Sequence, residues 1–317
     1  MNRCRAISMM LVVGAMLAAT LPGCSRPQEA RKPGSLRILC SSYPMFLFTR
    51  AVAGSQPDVL VEPMLACDAG CEHDYSLTPQ DLAKIERADV FVITGLGMER
   101  NQGYLDKIKT GSGKGPRVLD SSAGIGPKDI VYLAGEADRP GEKLANPHLF
   151  ADPRMAARVV RNIARQLGEI SPVHADAFTH NGEEYAASLD KVADEFAAYA
   201  GRWKSNRIVT MHAEYDYFAR TAGLDIVGVI EDIPGTLPSA EEVAKLVDRI
   251  KAQHAAVFTE PQYPKEIGER IAKDANVPVA TLDSVATGPD DPPADYYQQV
   301  MHKNLAVLKD VLGVKER

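Results

Sequence analysis

Short runs of apolar and β-branched residues alternate along the chain with longer segments in which apolar residues recur at helical spacing. The short runs have the length and composition of strands. They lie at 36–40, 58–65, 89–94, 207–211, 226–230, 255–259 and 277–282. The alternation of strands with helices predicts an α/β fold.

Helical patterns take over between the third and fourth of these runs, where the strand pattern disappears. Apolar residues recur every four positions from Met155 to Leu167, and a second apolar stripe runs from Phe178 to Phe196. Pro172 suits the first turn of the second helix. We predict a helix from about Pro172 to about Ala200, roughly 40 Å long, as a rigid connector between two α/β lobes. The predicted division is a lobe at 35–170, the connecting helix at 171–200 and a lobe at 201–317.

The amino terminus has the pattern of an export signal. Arg3 and Arg5 precede an uncharged, largely apolar stretch at 7–21, which is shorter than the roughly 20 residues needed to span a bilayer. The stretch ends at Leu21-Pro22-Gly23-Cys24, which resembles the lipobox of bacterial lipoproteins. We therefore predict a signal peptide at 1–23, a lipid on Cys24 and a polar tether at 24–34. The alternative is an ordinary signal peptide with a chance cysteine.

Composition narrows the function classes. Hydrophobic residues make up 45% of the chain and charged residues 25%, which is ordinary for a globular protein. Acidic residues outnumber basic ones, 42 to 36, and no run of Lys or Arg exceeds two residues. A nucleic-acid binder needs a basic face, so this balance argues against that class.

The chain has five cysteines, of which Cys4 would leave with the signal peptide and Cys24 would carry the lipid. Cys40 ends a predicted strand and is expected to be a small buried apolar residue. Cys67 and Cys71 could form a disulfide, since the protein is expected outside the cytoplasm. The alternative is that one of these thiolates reaches a metal ion.

Three histidines and one aspartate are candidate metal ligands. His73 follows the second predicted strand, and His148 precedes a helix. His212 and Asp283 directly follow predicted strands, and ligands of open α/β sheets bind at the carboxyl ends of strands. Three imidazoles and a carboxylate can complete a tetrahedral transition-metal site. We expect the other histidines to be surface or helix-capping residues; they are His174, His180, His254 and His302.

Several segments, in this order and behind a lipobox, resemble those of the metal-binding lipoproteins of bacterial ABC importers, the zinc- and manganese-type solute-binding proteins. The likeness runs from about Leu36 to the carboxyl end. The segments are 63–65, His73-Asp74-Tyr75 within 73–79, the loop at 95–99, Asn146-Pro147-His148 within 146–153, and the segments 212–219, 258–262 and 282–283.

The resemblance implies two α/β lobes joined by one long helix, with a metal ion in the cleft between them. His73 and His148 would come from the amino-terminal lobe, and His212 and Asp283 from the other. Histidine at the third position is typical of the zinc-binding members and glutamate of the manganese-binding ones, so we expect Zn²⁺, with Mn²⁺ or iron as alternatives. Glu260 is a candidate to orient a metal-ligating side chain without contacting the metal itself.

The resemblance also implies transport. The lipid-anchored protein would face the periplasm or the cell exterior and deliver its metal to an ABC permease driven by an ATPase, and we expect a monomer. Many zinc-binding members carry a histidine-rich loop after the first ligand, but no histidine lies between Tyr75 and His148.

Two other function classes fit the sequence less well. A secreted zinc hydrolase would keep one coordination position of the metal open to water, and Glu260 could act as its general base. The chain has no His-Glu-x-x-His motif, however, which is typical of such hydrolases. A chelate-binding protein would use aromatic and arginine side chains, and the chain has the single tryptophan Trp203. We therefore predict no catalytic residues.

Overall fold

The structure is a computed structural model that describes residues 35–70, 75–99, 105, 115–136, 143–231 and 236–316. The predicted signal peptide at 1–23, Cys24 and the tether at 24–34 lie outside these residues. Within the described ranges, no helix has both the length and the apolar character needed to cross a membrane.

The amino-terminal lobe is built on a four-stranded parallel sheet in the order β2-β1-β3-β4. Its strands are β1 Leu36–Cys40, β2 Val59–Pro63, β3 Val90–Ile93 and β4 Arg117–Asp120. Helices α1 Tyr43–Ala53 and α2 Pro79–Arg87 follow β1 and β2. All four residues of β3 are buried, as expected for a parallel strand covered on both faces.

The structure adds three short strands that the sequence pattern did not predict. Besides β4, the strands β5 Tyr132–Glu136 and β6 Lys143–Ala145 form an antiparallel pair. These strands are only three to five residues long, and β4 buries one residue of four. Such short edge segments carry too little apolar periodicity to be recognised from sequence.

Two helices pack along each other after β6. Helix α3 spans Pro153–Ile170, and after a 3-10 turn at Pro172–His174 helix α4 spans Ala175–Ala197. The long helix is therefore present, about 35 Å in length, but its α-helical part begins three residues later than Pro172 and ends before Ala200. Gly182 permits the close approach, since a Cβ atom there would lie 2.4 Å from the Cβ of Ala164.

The carboxyl-terminal lobe has a second four-stranded parallel sheet in the order β10-β9-β7-β8. Its elements are β7 Arg207–Thr210, α5 Asp216–Ala222, β8 Asp225–Val229, α6 Ala240–Gln253, β9 Ala256–Thr259, α7 Glu266–Ala275, β10 Val279–Thr281 and α8 Tyr296–Leu312. The strands match the four predicted ones, and the fold class of two α/β lobes is confirmed.

The two lobes share core contacts. Tyr297, on the last helix, is fully buried and donates a hydrogen bond from Oη to the carbonyl of Phe150, 2.8 Å away. Gln298 of the same helix reaches Ser188 on α4 at 2.7 Å. The carboxyl-terminal helix thus packs against both the connecting helix and the amino-terminal lobe, and the lobe boundaries at 170 and 200 remain a prediction.

Helix starts coincide with side chains that can cap them. Ser42 caps α1, and Thr78 and Ser239 form capping boxes with the third residue of α2 and α6. Asp152 caps α3 by accepting hydrogen bonds from the backbone of Arg154 and Met155. The cap at Asp152 fixes where the loop that contains His148 ends and the helix begins.

Candidate metal centre

The candidate centre lies where loops leave the strands. His212 is two residues past the end of β7, Glu260 directly follows β9 and Asp283 is two residues past β10. Because these strands are parallel, their carboxyl ends lie at the same edge of the sheet. His148 comes from the other lobe, in the loop between β6 and α3, where a 3-10 turn at Leu149–Ala151 follows it.

His148, His212 and Glu214 form a buried group able to hold a metal ion. One candidate ligand atom from each residue lies within 4.8 Å of those of the other two. The three residues are 2%, 1% and 0% exposed. The two imidazole rings are 5.2 Å apart between centroids and almost perpendicular, at 82°. The structure thus brings together two of the four ligands predicted from sequence.

Asn146 fixes the orientation of His148. The Asn146 side-chain oxygen Oδ1 lies 2.8 Å from Nδ1 of His148 and accepts the His148 backbone N–H at 3.0 Å. Its Nδ2 atom donates to the carbonyl of Ala213 and to Oδ2 of Asp216, both at 2.8 Å. The two donor contacts assign the amide orientation, so Nδ1 of His148 carries the proton and Nε2 keeps the lone pair that a metal needs.

Carboxylates surround His212. Its Nδ1 atom lies 3.2 Å from Oε2 of Glu260, and its Nε2 atom lies 3.7 Å from Oε2 of Glu214. Gln262 joins the two carboxylates, since its Nε2 is 2.8 Å from Oε2 of Glu260 and 3.3 Å from Oε2 of Glu214. Glu260 therefore lies against Nδ1 of His212 and beside Glu214, and a carboxylate in contact with Nδ1 can orient a ligating histidine.

The electrostatics of the group favour a cation. Burial, together with the neighbouring Glu260 carboxyl group, raises the pKa of Glu214 well above its usual range. Burial raises the pKa of Glu260 to about 8. Both carboxyl groups are 0% exposed. Without a cation the raised pKa values favour the protonated carboxyl groups, whereas a bound divalent cation would stabilise their ionised forms and displace the protons.

Several buried polar atoms of the group have no hydrogen-bond partner among the described residues. They are both ring nitrogens of His212, Oε1 of Glu214 and Oε1 of Glu260; Nδ1 of His212 lies 3.2 Å from Glu260 but outside hydrogen-bond geometry. A buried polar atom without a partner costs about 1–3 kcal/mol, so native proteins rarely leave several together. Imidazole nitrogen and carboxylate oxygen are both ligands of Zn²⁺, and the residues present fit that ion.

Asp283 is close to this edge but is not part of the group. Among the described residues, the atoms within 4.8 Å of one another come from His148, His212 and Glu214. Oδ1 of Asp283 accepts the backbone N–H of Val285 at 2.8 Å. Burial raises the pKa of Asp283, against the hydrogen bond from Val285 and the charge of Lys303. Its role as a ligand remains a prediction.

Two other predicted site residues, His73 and Cys71, lie outside the described residues. Cys67 is buried and forms no disulfide with another described cysteine, and burial is the main cause that raises the pKa of its thiol to about 11. Its pairing with Cys71 remains a prediction. Cys40 is fully buried at the end of β1, as expected, and burial raises the pKa of its thiol to about 12.

His174 is buried, which the expectation of a surface or capping histidine did not foresee. Its Nε2 lies 3.1 Å from Oδ1 of Asp58 and its Nδ1 lies 2.8 Å from Oγ of Ser171. The ring stacks on Phe178 at 5.4 Å between centroids. The turn between α3 and α4 lies against the start of β2, a contact that depends on tertiary packing. His254 ends α6 in the left-handed conformation, with φ of 52°, as a capping residue.

Glu214 is the member of the group that sequence reasoning missed. It lies two residues after His212 in the segment that carries the family resemblance, and its backbone N–H donates to the His212 carbonyl at 2.9 Å. The turn points both side chains into the same buried space. The sequence feature that could have identified Glu214 is an acidic residue among the apolar and aromatic residues that follow β7.

Known proteins resemble the chain over most of its length. The zinc-binding lipoprotein AdcA of Streptococcus pneumoniae is 28% identical over 307 residues, which cover 94% of this chain and 60% of AdcA. The high-affinity zinc uptake system protein ZnuA of Bacillus subtilis is 27% identical over 293 residues, covering 90% of each chain. The structure of the SBP FpvC from Pseudomonas aeruginosa in complex with Mn²⁺ has a TM-score of 0.72 and 27% identity, and covers 87% of this chain and 98% of that one.

The chain spans about 60% of the length of AdcA, and nearly the whole of the Bacillus ZnuA. A family model described as ZnuA, zinc-uptake complex component A periplasmic, matches residues 38–311. That range includes the two parallel sheets, except the first two residues of β1, and the candidate metal centre. It confirms the resemblance seen in the sequence: the chain belongs to the ZnuA family of periplasmic zinc-uptake components.

Proposed function

We propose that this chain captures a divalent transition metal, zinc, outside the cytoplasm and delivers it to the permease of an ABC importer. The observation that carries the proposal is the pair of buried imidazoles, His148 and His212. Nδ1 of His148 contacts Oδ1 of Asn146 at 2.8 Å, and Nδ1 of His212 lies 3.2 Å from Oε2 of Glu260. We assign Nε2 of each ring as the ligand atom. Neutral imidazole is a preferred ligand of Zn²⁺.

The relatives support zinc as the ion. AdcA of Streptococcus pneumoniae is named a zinc-binding lipoprotein, and ZnuA of Bacillus subtilis a high-affinity zinc uptake system protein. The sequence-based ligand set adds His73 and Asp283 to the two buried imidazoles. In this proposal His73 and His148 come from one lobe, and His212 and Asp283 from the other, so that the ion lies between the lobes.

Manganese is the second candidate ion, and two observations favour it. The buried group includes a carboxylate, that of Glu214, and oxygen ligands suit Mn²⁺ better than imidazole does. FpvC, whose structure this fold resembles, is described in complex with Mn²⁺.

We place binding ahead of catalysis. A catalytic zinc site keeps one coordination position open to water, whereas the three residues of the buried group are at most 2% exposed. Solute-binding proteins of ABC importers work with a permease and its ATPase. A lipid on Cys24 would hold the protein, as a monomer, at the membrane that contains this permease.

The test is a competition titration of the metal-free protein with Zn²⁺ and Mn²⁺ against chelators of known affinity. We expect one tightly bound zinc per chain. His148→Ala should weaken zinc binding at least about tenfold. Losing even a residue that hydrogen-bonds to a metal ligand, without contacting the metal, costs about 10–100-fold in affinity. The matched control is His180→Ala, an exposed histidine on α4, which should bind zinc as the wild type does.

Two results would count against the proposal. If neither ion bound tightly to the wild type, the protein would not be a carrier of free zinc or manganese. If His148→Ala bound zinc as tightly as the control variant, the ion would be held elsewhere in the chain.

A further inference from the structure

We propose that Glu214 is a direct ligand of the captured ion, so that its carboxylate binds the ion together with His148 and His212. The inference rests on the proposed function and deepens it by naming a ligand that also sets metal preference. The juxtaposition of Glu214 with His148 and His212 in one buried space carries it.

The geometry of Glu214 is that of a ligand. Its Oε2 atom lies 3.7 Å from Nε2 of His212, a separation that leaves room for an ion bound by both at about 2.0–2.2 Å. His148 supplies a third ligand atom within 4.8 Å of both. All three residues are buried, so the ligand atoms converge in a space shielded from bulk water.

Glu214 has fewer hydrogen bonds than a structural carboxylate would have. Its Oε1 atom is buried without a partner in hydrogen-bond geometry among the described residues, and its Oε2 receives an amide hydrogen bond from Gln262 at 3.3 Å. Its other polar neighbours are the Glu260 carboxyl group and the Ser284 hydroxyl. Ionising this buried group is costly unless a cation binds it.

Two other buried carboxylates of the chain provide the contrast. Asp152 accepts hydrogen bonds from the backbone N–H groups of Arg154 and Met155 and from the hydroxyl of Thr221. Glu99 accepts from the Ser41 hydroxyl and from two backbone N–H groups, at 2.7–3.2 Å. These two carboxylates have structural roles that their hydrogen bonds explain, whereas Glu214 accepts one amide hydrogen bond, from Gln262, and lies beside a second carboxyl group, that of Glu260.

The backbone holds Glu214 in register with the two histidines. Its N–H donates to the His212 carbonyl at 2.9 Å, and the carbonyl of the intervening Ala213 accepts a hydrogen bond from Asn146, the residue that also orients His148. One hydrogen-bonded unit therefore positions all three side chains. Such preorganisation is what a tight metal site requires.

A carboxylate ligand next to imidazoles should shift preference among divalent ions. Zn²⁺ binds most sites more tightly than Mn²⁺ does, but its advantage is smaller at carboxylate oxygen than at imidazole nitrogen. Removing the charge of Glu214 should therefore weaken binding of both ions and weaken Mn²⁺ more, so that the preference for zinc over manganese increases.

The experiment compares wild type, Glu214→Gln and the control Glu62→Gln by competition titration with Zn²⁺ and Mn²⁺, and by the visible absorption of bound Co²⁺. Glu62 is a half-exposed glutamate on β2, so its replacement removes the same charge away from the site. We expect Glu214→Gln to bind zinc at least about tenfold more weakly, because losing even a residue that only hydrogen-bonds to a metal ligand costs about 10–100-fold in affinity. We also expect a changed Co²⁺ spectrum. The control should match the wild type in both.

The outcomes separate this inference from the proposed function. If the wild type bound zinc and Glu214→Gln bound it equally tightly with an unchanged Co²⁺ spectrum, the inference would be overturned while the proposed function stood. If the wild type bound neither ion, both would fail together. Thermal unfolding of the metal-free variant shows whether it folds. If it does not, a crystal structure of the zinc-bound wild type decides: a Glu214 oxygen at about 2.0–2.2 Å from the ion supports the inference, and one beyond 3 Å overturns it.

Discussion

Asn146 connects the metal centre across the two lobes, and its replacement should weaken metal binding without removing any ligand. Its amide makes four hydrogen bonds at 2.8–3.0 Å: two to His148, one to Ala213 and one to Asp216. The residue is 0% exposed. Asn146→Ala would leave Nδ1 of His148 without its acceptor, so the imidazole could rotate or take the other tautomer.

The size of the effect follows from these contacts. Loss of an outer partner of a metal-ligating histidine typically costs about 10–100-fold in affinity, which corresponds to about 1.4–2.8 kcal/mol. We expect zinc affinity to fall by that factor. Each buried polar group left without a partner costs about 1–3 kcal/mol, so the free energy of unfolding of the metal-free protein should fall by roughly 3 kcal/mol after local relaxation.

A graded pair of variants separates the two effects. Asn146→Asp keeps the acceptor for His148 but loses the donors to Ala213 and Asp216 and adds a negative charge beside Asp216. It should therefore be destabilised yet bind zinc more tightly than Asn146→Ala. The control is Asn162→Ala, which removes a single hydrogen bond, to the Ser121 carbonyl at 3.1 Å, within the amino-terminal lobe.

The assay is a zinc competition titration combined with urea unfolding of the metal-free proteins. The reasoning would be refuted if Asn146→Ala bound zinc as tightly as the Asn162→Ala control, because the orientation of His148 would then not depend on this amide. Equal affinities of the Asp and Ala variants would refute the narrower argument about the acceptor for Nδ1.

Two further predictions concern stability. Burial raises the pKa of Asp152 to about 7. Between about pH 4 and 7, Asp152 is therefore protonated in the native state and ionised in the unfolded state. Its contribution to the free energy of unfolding falls as pH rises through this range, by at most about 1.4 kcal/mol per pH unit. Asp152→Asn keeps a capping side chain but cannot ionise. The free energy of unfolding of this variant should therefore increase relative to that of the wild type as pH rises from 5 to 7.5. A difference that stayed constant with pH in urea unfolding would contradict this. A Cβ atom at Gly288 would lie 2.3 Å from Oη of Tyr43, whereas one at Gly126 would meet nothing within 4 Å. Gly288→Ala should thus cost about 1–3 kcal/mol in urea unfolding and Gly126→Ala much less, and equal costs would show that the loop moves freely away from Tyr43.

Strand prediction worked where the strands are central and apolar, and failed at the edges. The first predicted strand coincides with β1, and β3 and β9 lie within their predicted ranges as fully buried runs. Strands β4 and β6 are short and largely unburied, so their residues show no apolar run that differs from a loop. They exist because a neighbouring strand supplies their hydrogen bonds.

The members of the buried group were predicted in part for a similar reason. His212 directly follows a predicted strand, and the carboxyl ends of parallel strands are where ligands bind, so local sequence was enough to select it. His148 was selected by its loop motif. Asp283 follows the same rule as His212, yet its carboxylate is engaged with the backbone of Val285 and lies outside the buried group.

The sequence by itself determined the alternation of strands and helices, the two α/β lobes and the positions of His148 and His212, because these depend on periodicity and on short motifs. The tertiary structure alone decided which buried groups meet. The bonds from Asn146 to Ala213 and Asp216 join residues 67 and 70 positions apart. Glu214 belongs to the group because its turn faces a loop from the other lobe. Spacing along one chain carries no information on such contacts, since they arise only when distant segments pack together.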